Sequence, residues 1–307
     1  MLPELFRDLG VPAASRLESQ WTSVNGLVLH SRKGGTATHH RVPFVLIHGL
    51  VISSLYMIPL AEHISVEHEV HALDLPGFGR SESPSEVLTV PQLANRVIAW
   101  MSATGLHQCH LVANSLGCEI AAHLAVKVPE RVATLTLIGP TLDPEAFALL
   151  TQVMRLLQDA LKEPIRLWMN WIFDFWRAGI RRTIGTTREM FRDHIEHQLP
   201  QITARTLVIR GGNDPTVPQS AAFSMTRLLA HGDLLVIEGE PHCVHYTNPL
   251  QVCRAVQDHA AHHAKLFMNL NQGHCCLPSP GSSFRRGRRK PAREARALHQ
   301  TIPRVRR

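Results

Sequence analysis

Along the chain, short runs of consecutive apolar residues alternate with longer stretches in which apolar positions recur every three or four residues. The runs are PFVLIHG (43–49), EVHALDL (69–75), CHLVANS (109–115), ATLTLIG (133–139), RTLVIRGG (205–212) and DLLVIEG (233–239). Unbroken apolarity suits strands covered on both faces, and the intervening helical periodicity supplies the cover. The pattern therefore predicts an α/β protein with a mostly parallel sheet and helices on both of its faces. Upstream, RLESQWTSV and LVLHSRKGG flank Asn25-Gly26, a two-residue turn signal, so an antiparallel hairpin is expected to complete a sheet of eight strands. Helices are expected over LYMIPLAEHIS, PQLANRVIAWMSATG, LGCEIAAHLAVKVPE, PQSAAFSMTRLLA and PLQVCRAVQDHAAHHAK. Pro91 and Pro249 stand at first-turn positions, where a missing N–H costs nothing.

Residues 141–200 break the alternation, carrying helical pattern and no convincing strand. Within them LWMNWIFDFW bears Trp168, Trp171, Phe173, Phe175 and Trp176, too dense for one narrow helical stripe. An inserted helical cap over the carboxyl edge of the sheet accounts for both features. The alternative is that the rings only pack the insertion onto the core. From about Ala264 the periodicity gives way to Pro, Gly, Ser and Arg, a composition that buries too little to offset ordering entropy. The expected organisation is a core in two parts, 1–140 and 201–264, a cap over 141–200 and a disordered basic tail over 265–307.

Charge follows the same division. The formal net charge is +7, yet residues 265–307 hold eleven Lys/Arg against the single acid Glu294, which leaves the first 264 residues slightly acidic. The basic balance thus belongs to the tail, whose lack of interleaved aromatics argues against single-strand nucleic-acid binding. The six cysteines, at 109, 118, 243, 253, 275 and 276, form no CxxC pair and read as free thiols of a reducing compartment. MLPELFRDLG is both acidic and basic and lacks the apolar run of a signal peptide, and no stretch is long and apolar enough for a membrane span. These features predict a soluble cytoplasmic protein with no membrane partner. His259, His262 and His263 share a helical face but lack an acidic or thiol partner, so no metal is expected. No phosphate cradle or dinucleotide fingerprint appears, and no cofactor is expected.

The candidate chemistry lies at strand ends. Ser115 follows CHLVAN and precedes a helix, the strand–turn–helix setting of a nucleophile elbow. Such a turn demands small residues two positions before and after the serine, and Ala113 and Gly117 meet that demand. The helix start offers the N–H of Leu116, and the loop HGLVISS after the third strand offers the N–H of Leu50, two donors suited to a developing oxyanion. His48 reads as a loop-holding residue. Asp214 in RGGNDPTVP and His242 in EGEPHCVHYTNP follow the seventh and eighth strands, giving the chain order Ser, acid, His.

In this order HGL, DLPGFGRSESP, ANSLGCEIAAHLAVKVPERVATLTLIGP, RGGNDPTVP and PHCVHYTNP resemble the serine hydrolases of the α/β-hydrolase superfamily, from about Trp21 to His263. The resemblance implies an α/β-hydrolase fold with a triad of Ser115, His242 and Asp214. It favours His242 over His245, because a proline commonly follows the catalytic histidine seven residues on, here Pro249. Asp143 is a second candidate for the acid, since some members place it after strand six, and Asp74 takes a supporting role in its loop. The activity implied is hydrolysis of a carboxylic ester on a small-molecule acyl substrate. NSLG also resembles the elbow of carbon–carbon bond hydrolases of the meta-cleavage type, which usually carry glycine where this chain has Cys118. Thioesterase, lactonase and haloperoxidase-like activities share the triad, whereas dehalogenases and epoxide hydrolases use aspartate at the position of Ser115. A ligand-binding member of the fold, and a nucleic-acid binder acting through the tail, are the non-enzymatic alternatives.

Overall fold

The computed structural model describes residues 15–37, 41–140 and 165–272. Asp143, the first part of the insertion, His263 as a side chain, and the tail beyond residue 272 lie outside the described residues. The chain divides into a compact unit, Met1–Met268, and a second unit, Asn269–Arg307, whose described part is the end of one helix.

Eight strands form one sheet: β1 (Glu18–Val24), β2 (Leu27–Gly34), β3 (Phe44–Ile47), β4 (Val70–Leu73), β5 (Cys109–Asn114), β6 (Val132–Ile138), β7 (Arg205–Gly211) and β8 (Gly232–Ile237). Their spatial order is β1-β2-β4-β3-β5-β6-β7-β8. β2 runs antiparallel to β1 and β4, and every other pair is parallel. Asn25 and Gly26 both have positive φ, 49° and 79°, as the tight turn between twisted strands requires.

The helices are α1 (Ile58–Ile64), α2 (Val90–Ala103), α3 (Leu116–Lys127), α4 (Ile165–Ala178), α5 (Ile180–Arg192), α6 (Ile195–Gln198), α7 (Gln219–Leu228), α8 (Val244–Thr247) and α9 (Pro249–Gln272). α2 starts with a reciprocal cap. The Thr89 hydroxyl accepts the Gln92 N–H, and the Gln92 side chain accepts the N–H of Thr89.

The two-residue period of the strands sorts the core into two layers. Val45, Ile47, Leu111 and Ala113 join Leu93, Val97 and Trp100 of α2 and Ile120 and Leu124 of α3 on one face. Phe44, Leu46 and Val112 join Leu60 and Ile64 of α1 and Val252 and Val256 of α9 on the other. Each fully buried Leu or Ile contributes roughly 1.5–3 kcal/mol, so these layers dominate the stability of the unit.

α4 to α6 fill the interval between β6 and β7. Arg177 Nε donates to the Gly79 carbonyl at 2.7 Å, and Arg182 donates to the Pro84 carbonyl at 2.7 Å. Met190 and Ile195 are buried in the first core layer. At the other end of the unit, α9 continues to Gln272, past Ala264 where the fading periodicity predicts its end. Lys265, Leu266, Met268, Leu270 and Gln272 are good helix formers whatever their spacing, and the first breaker is Gly273. Among the described residues no helix is long and apolar enough to cross a membrane.

Candidate active site

Register brings the candidate residues to one edge. Ile47 pairs with Ala113, Asn114 with Ile138, Ile138 with Ile209 and Gly211 with Ile237. The carboxyl ends of β3, β5, β6, β7 and β8 therefore lie side by side, and the loops leaving them carry Gly49, Ser115, Gly139, Asp214 and His242.

Ser115 occupies the turn between β5 and α3 with φ 53° and ψ −126°. A side chain at positive φ costs on the order of 1–3 kcal/mol and persists only when its surroundings impose it. Here the Ser115 N–H donates to the Ile138 carbonyl at 3.0 Å, and the Cys118 N–H donates to the Ser115 carbonyl at 2.7 Å. The Asn114 side chain donates to the same Ile138 carbonyl at 3.1 Å. Gly117 is fixed by crowding, since a Cβ there would lie 2.7 Å from the Ile47 carbonyl oxygen. The serine is thereby raised above the sheet while α3 stays pressed against β3.

His242 and Asp214 are both buried and meet at 2.7 Å, Nδ1 to Oδ2. The other carboxylate oxygen accepts the Thr216 hydroxyl at 2.6 Å, the Thr216 N–H at 2.8 Å and the Val217 N–H at 3.2 Å. Burial pushes the Asp214 carboxyl up, but the attraction and hydrogen bond of His242 and the bonds from Thr216 outweigh it and hold the group below its ordinary value. With Nδ1–H directed at Asp214, Nε2 is the basic nitrogen of the ring. The ring lies against Gly139, at φ 56°, where a Cβ would come within 2.7 Å of His242 Cε1. Gly139 directly follows Ile138, the residue that anchors the Ser115 N–H, so the imidazole and the serine turn share one stretch of β6 backbone.

On the opposite side of the serine is the loop after β3. A Cβ on Gly49 would lie 3.0 Å from that of Ser115. Leu50 comes next, then buried Val51 at φ 56°, a rare conformation for a β-branched residue. His48 pins this loop: its Nδ1 is 2.8 Å from the Gly49 carbonyl, and its Nε2 accepts the Leu75 N–H at 3.0 Å. The side chain of Leu116 is buried, and its N–H, in the first turn of α3, has no acceptor within the helix.

Asp74, after β4, is fully hydrogen-bonded, to the Ser54 N–H at 2.6 Å, the Arg80 N–H at 2.8 Å and His30 Nδ1 at 2.7 Å. Burial raises this carboxyl, yet His30 and the further partners bring it well below the usual range. His245 stands apart from the Asp214 pair. It is fully buried, packs edge-on against Tyr56 at 4.5 Å, and is pushed down to about 3 by burial and the neighbouring His242. His259 Nε2 lies 3.1 Å from the Arg205 carbonyl, away from this edge.

A model of the alpha/beta hydrolase fold matches residues 42–168. The 2-hydroxy-6-oxononadienedioate/2-hydroxy-6-oxononatrienedioate hydrolase of Burkholderia vietnamiensis is 30% identical over 197 residues, 55% of this chain and 68% of that protein. The chain belongs to the α/β-hydrolase family. Another hydrolase relative, the pimeloyl-[acyl-carrier protein] methyl ester esterase of Aeromonas hydrophila, is 24% identical over 243 residues, covering 69% of this chain and 93% of the relative. The chain spans only 32% of the length of the dihydrolipoyllysine-residue acetyltransferase component of the acetoin cleaving system of Cupriavidus necator, which it matches at 36% identity over 126 residues. Among solved structures, the esterase from Thermogutta terrifontis superimposes with a TM-score of 0.68 at 18% identity, over 80% of this chain and 99% of that one, a likeness of fold.

Three residues of this hydrolase edge escape sequence reasoning. Thr216 Oγ1 lies 2.8 Å from His242 Nδ1 while donating to Asp214, so it braces both members of the pair. Buried Arg210 donates to the carbonyls of Val217, Gly212 and Asp214, at 2.7, 3.3 and 3.0 Å, and so shapes the loop that presents the acid. Asp174 of α4 is buried and bonded to Ser53, at the end of the loop that carries Leu50. Only Thr216 had a local signal, its place two residues after the acid in a proline-flanked turn.

Proposed function

We propose that this α/β-hydrolase cleaves a carboxylic ester of a small or medium apolar acyl substrate through a Ser115-His242-Asp214 triad. The observation that carries the reading is the Asp214–His242 contact at 2.7 Å, with the ring seated on the strand end that anchors the strained Ser115 turn. In the first half-reaction Ser115 Oγ attacks the acyl carbonyl as His242 Nε2 takes its proton. The N–H groups of Leu50 and Leu116 receive the tetrahedral oxyanion, and the alcohol departs with the proton from His242. A water deprotonated by His242 then attacks the acyl-enzyme, releasing the acid and restoring the serine. Asp214 holds the imidazole tautomer and offsets its charge throughout. α4 to α6 act as the cap, sizing the acyl pocket from above.

The Burkholderia relative supports a second reading, cleavage of a carbon–carbon bond in a vinylogous diketone. At the position where glycine is usual in such enzymes this chain has Cys118. Its thiol is buried, bonded to the Ala113 carbonyl at 3.3 Å and pushed well above its ordinary value by burial, so it packs the elbow and takes no part in chemistry.

The test is hydrolysis of p-nitrophenyl esters of increasing chain length by the wild type and Ser115→Ala, alongside fluorophosphonate labelling. Ester turnover that falls by about 10⁴-fold or more in the variant supports the triad. Labelling without ester turnover, together with cleavage of a 2-hydroxy-6-oxo-dienoate, transfers the assignment to carbon–carbon hydrolysis. Absence of labelling overturns both readings in favour of a ligand-binding protein.

A further inference from the structure

α4 is inverted with respect to a helix of a water-soluble protein, whose outward face is polar. Its buried stripe is Leu167, Asn170, Asp174 and the half-buried Ala178, so two of the four inward positions are polar. Directly opposite, at helical spacing, stand Met169, Ile172 and Trp176, and Trp176 is 80% exposed. Trp171 is also exposed and stacks on Phe175 at 5.5 Å, extending the apolar surface around the helix.

α5 adds a second element of the same kind. Its inward positions Thr186 and Met190 are buried, while Ile180, Ile184 and Phe191 share an exposed face. Immediately beside that face, one helical step round, are the exposed Arg181, Arg188 and Arg192. Over 165–192 six arginines stand against two acids, and one of those acids is the buried Asp174. This surplus contrasts with the slightly acidic balance of the first 264 residues as a whole.

Tryptophan and isoleucine exposed on two consecutive, touching helices, with arginines flanking them, suit a boundary where apolar and anionic groups lie a few ångströms apart. A bilayer surface with anionic headgroups supplies both, acyl chains for the rings and phosphates for the guanidinium groups. A neutral protein partner would leave the arginine stripe without a counterpart, and a second copy of this chain would bring like charge against it.

We propose that the outer face of α4 and α5 docks on the surface of an anionic lipid bilayer, with Trp171, Ile172 and Trp176 entering the interface and Arg181 and Arg188 meeting headgroup phosphates. The chain lies on the membrane in this arrangement and does not cross it. The absence of a spanning segment, from which the sequence suggests no membrane partner, does not bear on such docking. The inference is independent of the hydrolytic reading, since it uses neither the triad nor its oxyanion donors.

The test is flotation of the full chain with vesicles of phosphatidylcholine alone and of phosphatidylcholine with 30% phosphatidylglycerol, using wild type, W171S/I172S/W176S, R181E/R188E and Ser115→Ala. The proposal expects the wild type and Ser115→Ala to float equally with anionic vesicles. It expects at least a tenfold loss of bound fraction in the tryptophan variant, and a comparable loss in the arginine variant. Unchanged circular dichroism and an unchanged urea-unfolding midpoint would report that the tryptophan variant is folded. Flotation that persists in the tryptophan variant would assign lipid binding to the basic tail and overturn the proposal. No flotation of the wild type would do the same, as would sedimentation of the wild type as a dimer that the tryptophan substitutions dissociate.

Discussion

Two buried carboxyls, Asp214 after β7 and Asp174 on α4, meet opposite electrostatic fates. Asp214 accepts four hydrogen bonds, from His242, twice from Thr216 and from Val217, and is held below its ordinary value. Asp174 is equally buried, but its Oδ1 has no hydrogen-bond partner among the described residues. Burial pushes Asp174 up to about 7, Ser53 opposes the rise, Asp74 adds to it, and Arg177 and Arg32 pull weakly downward. Burial alone would raise both groups. What separates them is the company each keeps: His242 attracts Asp214 and donates to it and Thr216 adds two bonds, whereas Asp174 has the Ser53 bond and the like charge of Asp74 nearby. The β7 loop is built around a charge, whereas α4 carries a carboxyl that is a proton away from neutrality near physiological pH.

The strongest way to break this comparison is to remove the charge that the β7 loop serves. Asp214→Asn is expected to lower kcat of ester hydrolysis by about 10³ to 10⁴-fold with KM little changed, because the imidazole loses its fixed tautomer. A fall of less than tenfold would remove Asp214 from the role of orienting acid and reopen the case for Asp143. Next comes the scaffold of the loop. Arg210→Met leaves the carbonyls of Val217, Gly212 and Asp214 without their donor, for a loss on the order of 3 kcal/mol in unfolding free energy. Urea unfolding monitored by tryptophan fluorescence reads this directly, and an unchanged midpoint would show that the fan of bonds is dispensable.

Asp174 supplies the subtlest contrast, one of pH. Its carboxyl titrates near 3.8 in the unfolded chain and about 7 in the folded one, so the folded state holds the extra proton between those values. Its contribution to stability is therefore present below about pH 4 and is lost as pH rises toward 7, in total on the order of a few kcal/mol. His48 and His245, buried and lowered, tilt the slope the other way. The measurement is accordingly the difference between wild type and Asp174→Asn in urea midpoint at pH 5 and pH 8. The variant is expected to gain relative to wild type at pH 8, and an identical pH slope in both proteins would count against a neutral Asp174.

Much of the sheet was legible along the chain because the central strands are mostly apolar and all but β4 run into glycine, serine or a histidine-glycine step. The eight strands and the core helices fall where periodicity places them, and the contact between Asp214 and His242 joins residues already singled out from their strand-end positions. The end of α9 was misread because helix propensity continues where amphipathic pattern stops. Arg210 was invisible for a different reason: an arginine inside RTLVIRGG reads as an exposed strand residue until a loop folds back to present three carbonyls to it.

The inversion of α4 was equally hidden. LWMNWIFDFW announces many rings, but only packing reveals that Asn170 and Asp174 face the core while Trp176 faces out. Sequence by itself determined the sheet, its crossover helices and the order of chemical groups at its edge, because apolar periodicity and turn-forming residues act over a few neighbours. Tertiary structure alone decided which face of the inserted helices is buried, which carboxyl keeps its charge and which backbone holds Ser115 in strain. Those outcomes depend on donors, charges and surfaces contributed by residues distant in the chain, and local pattern carries no record of them.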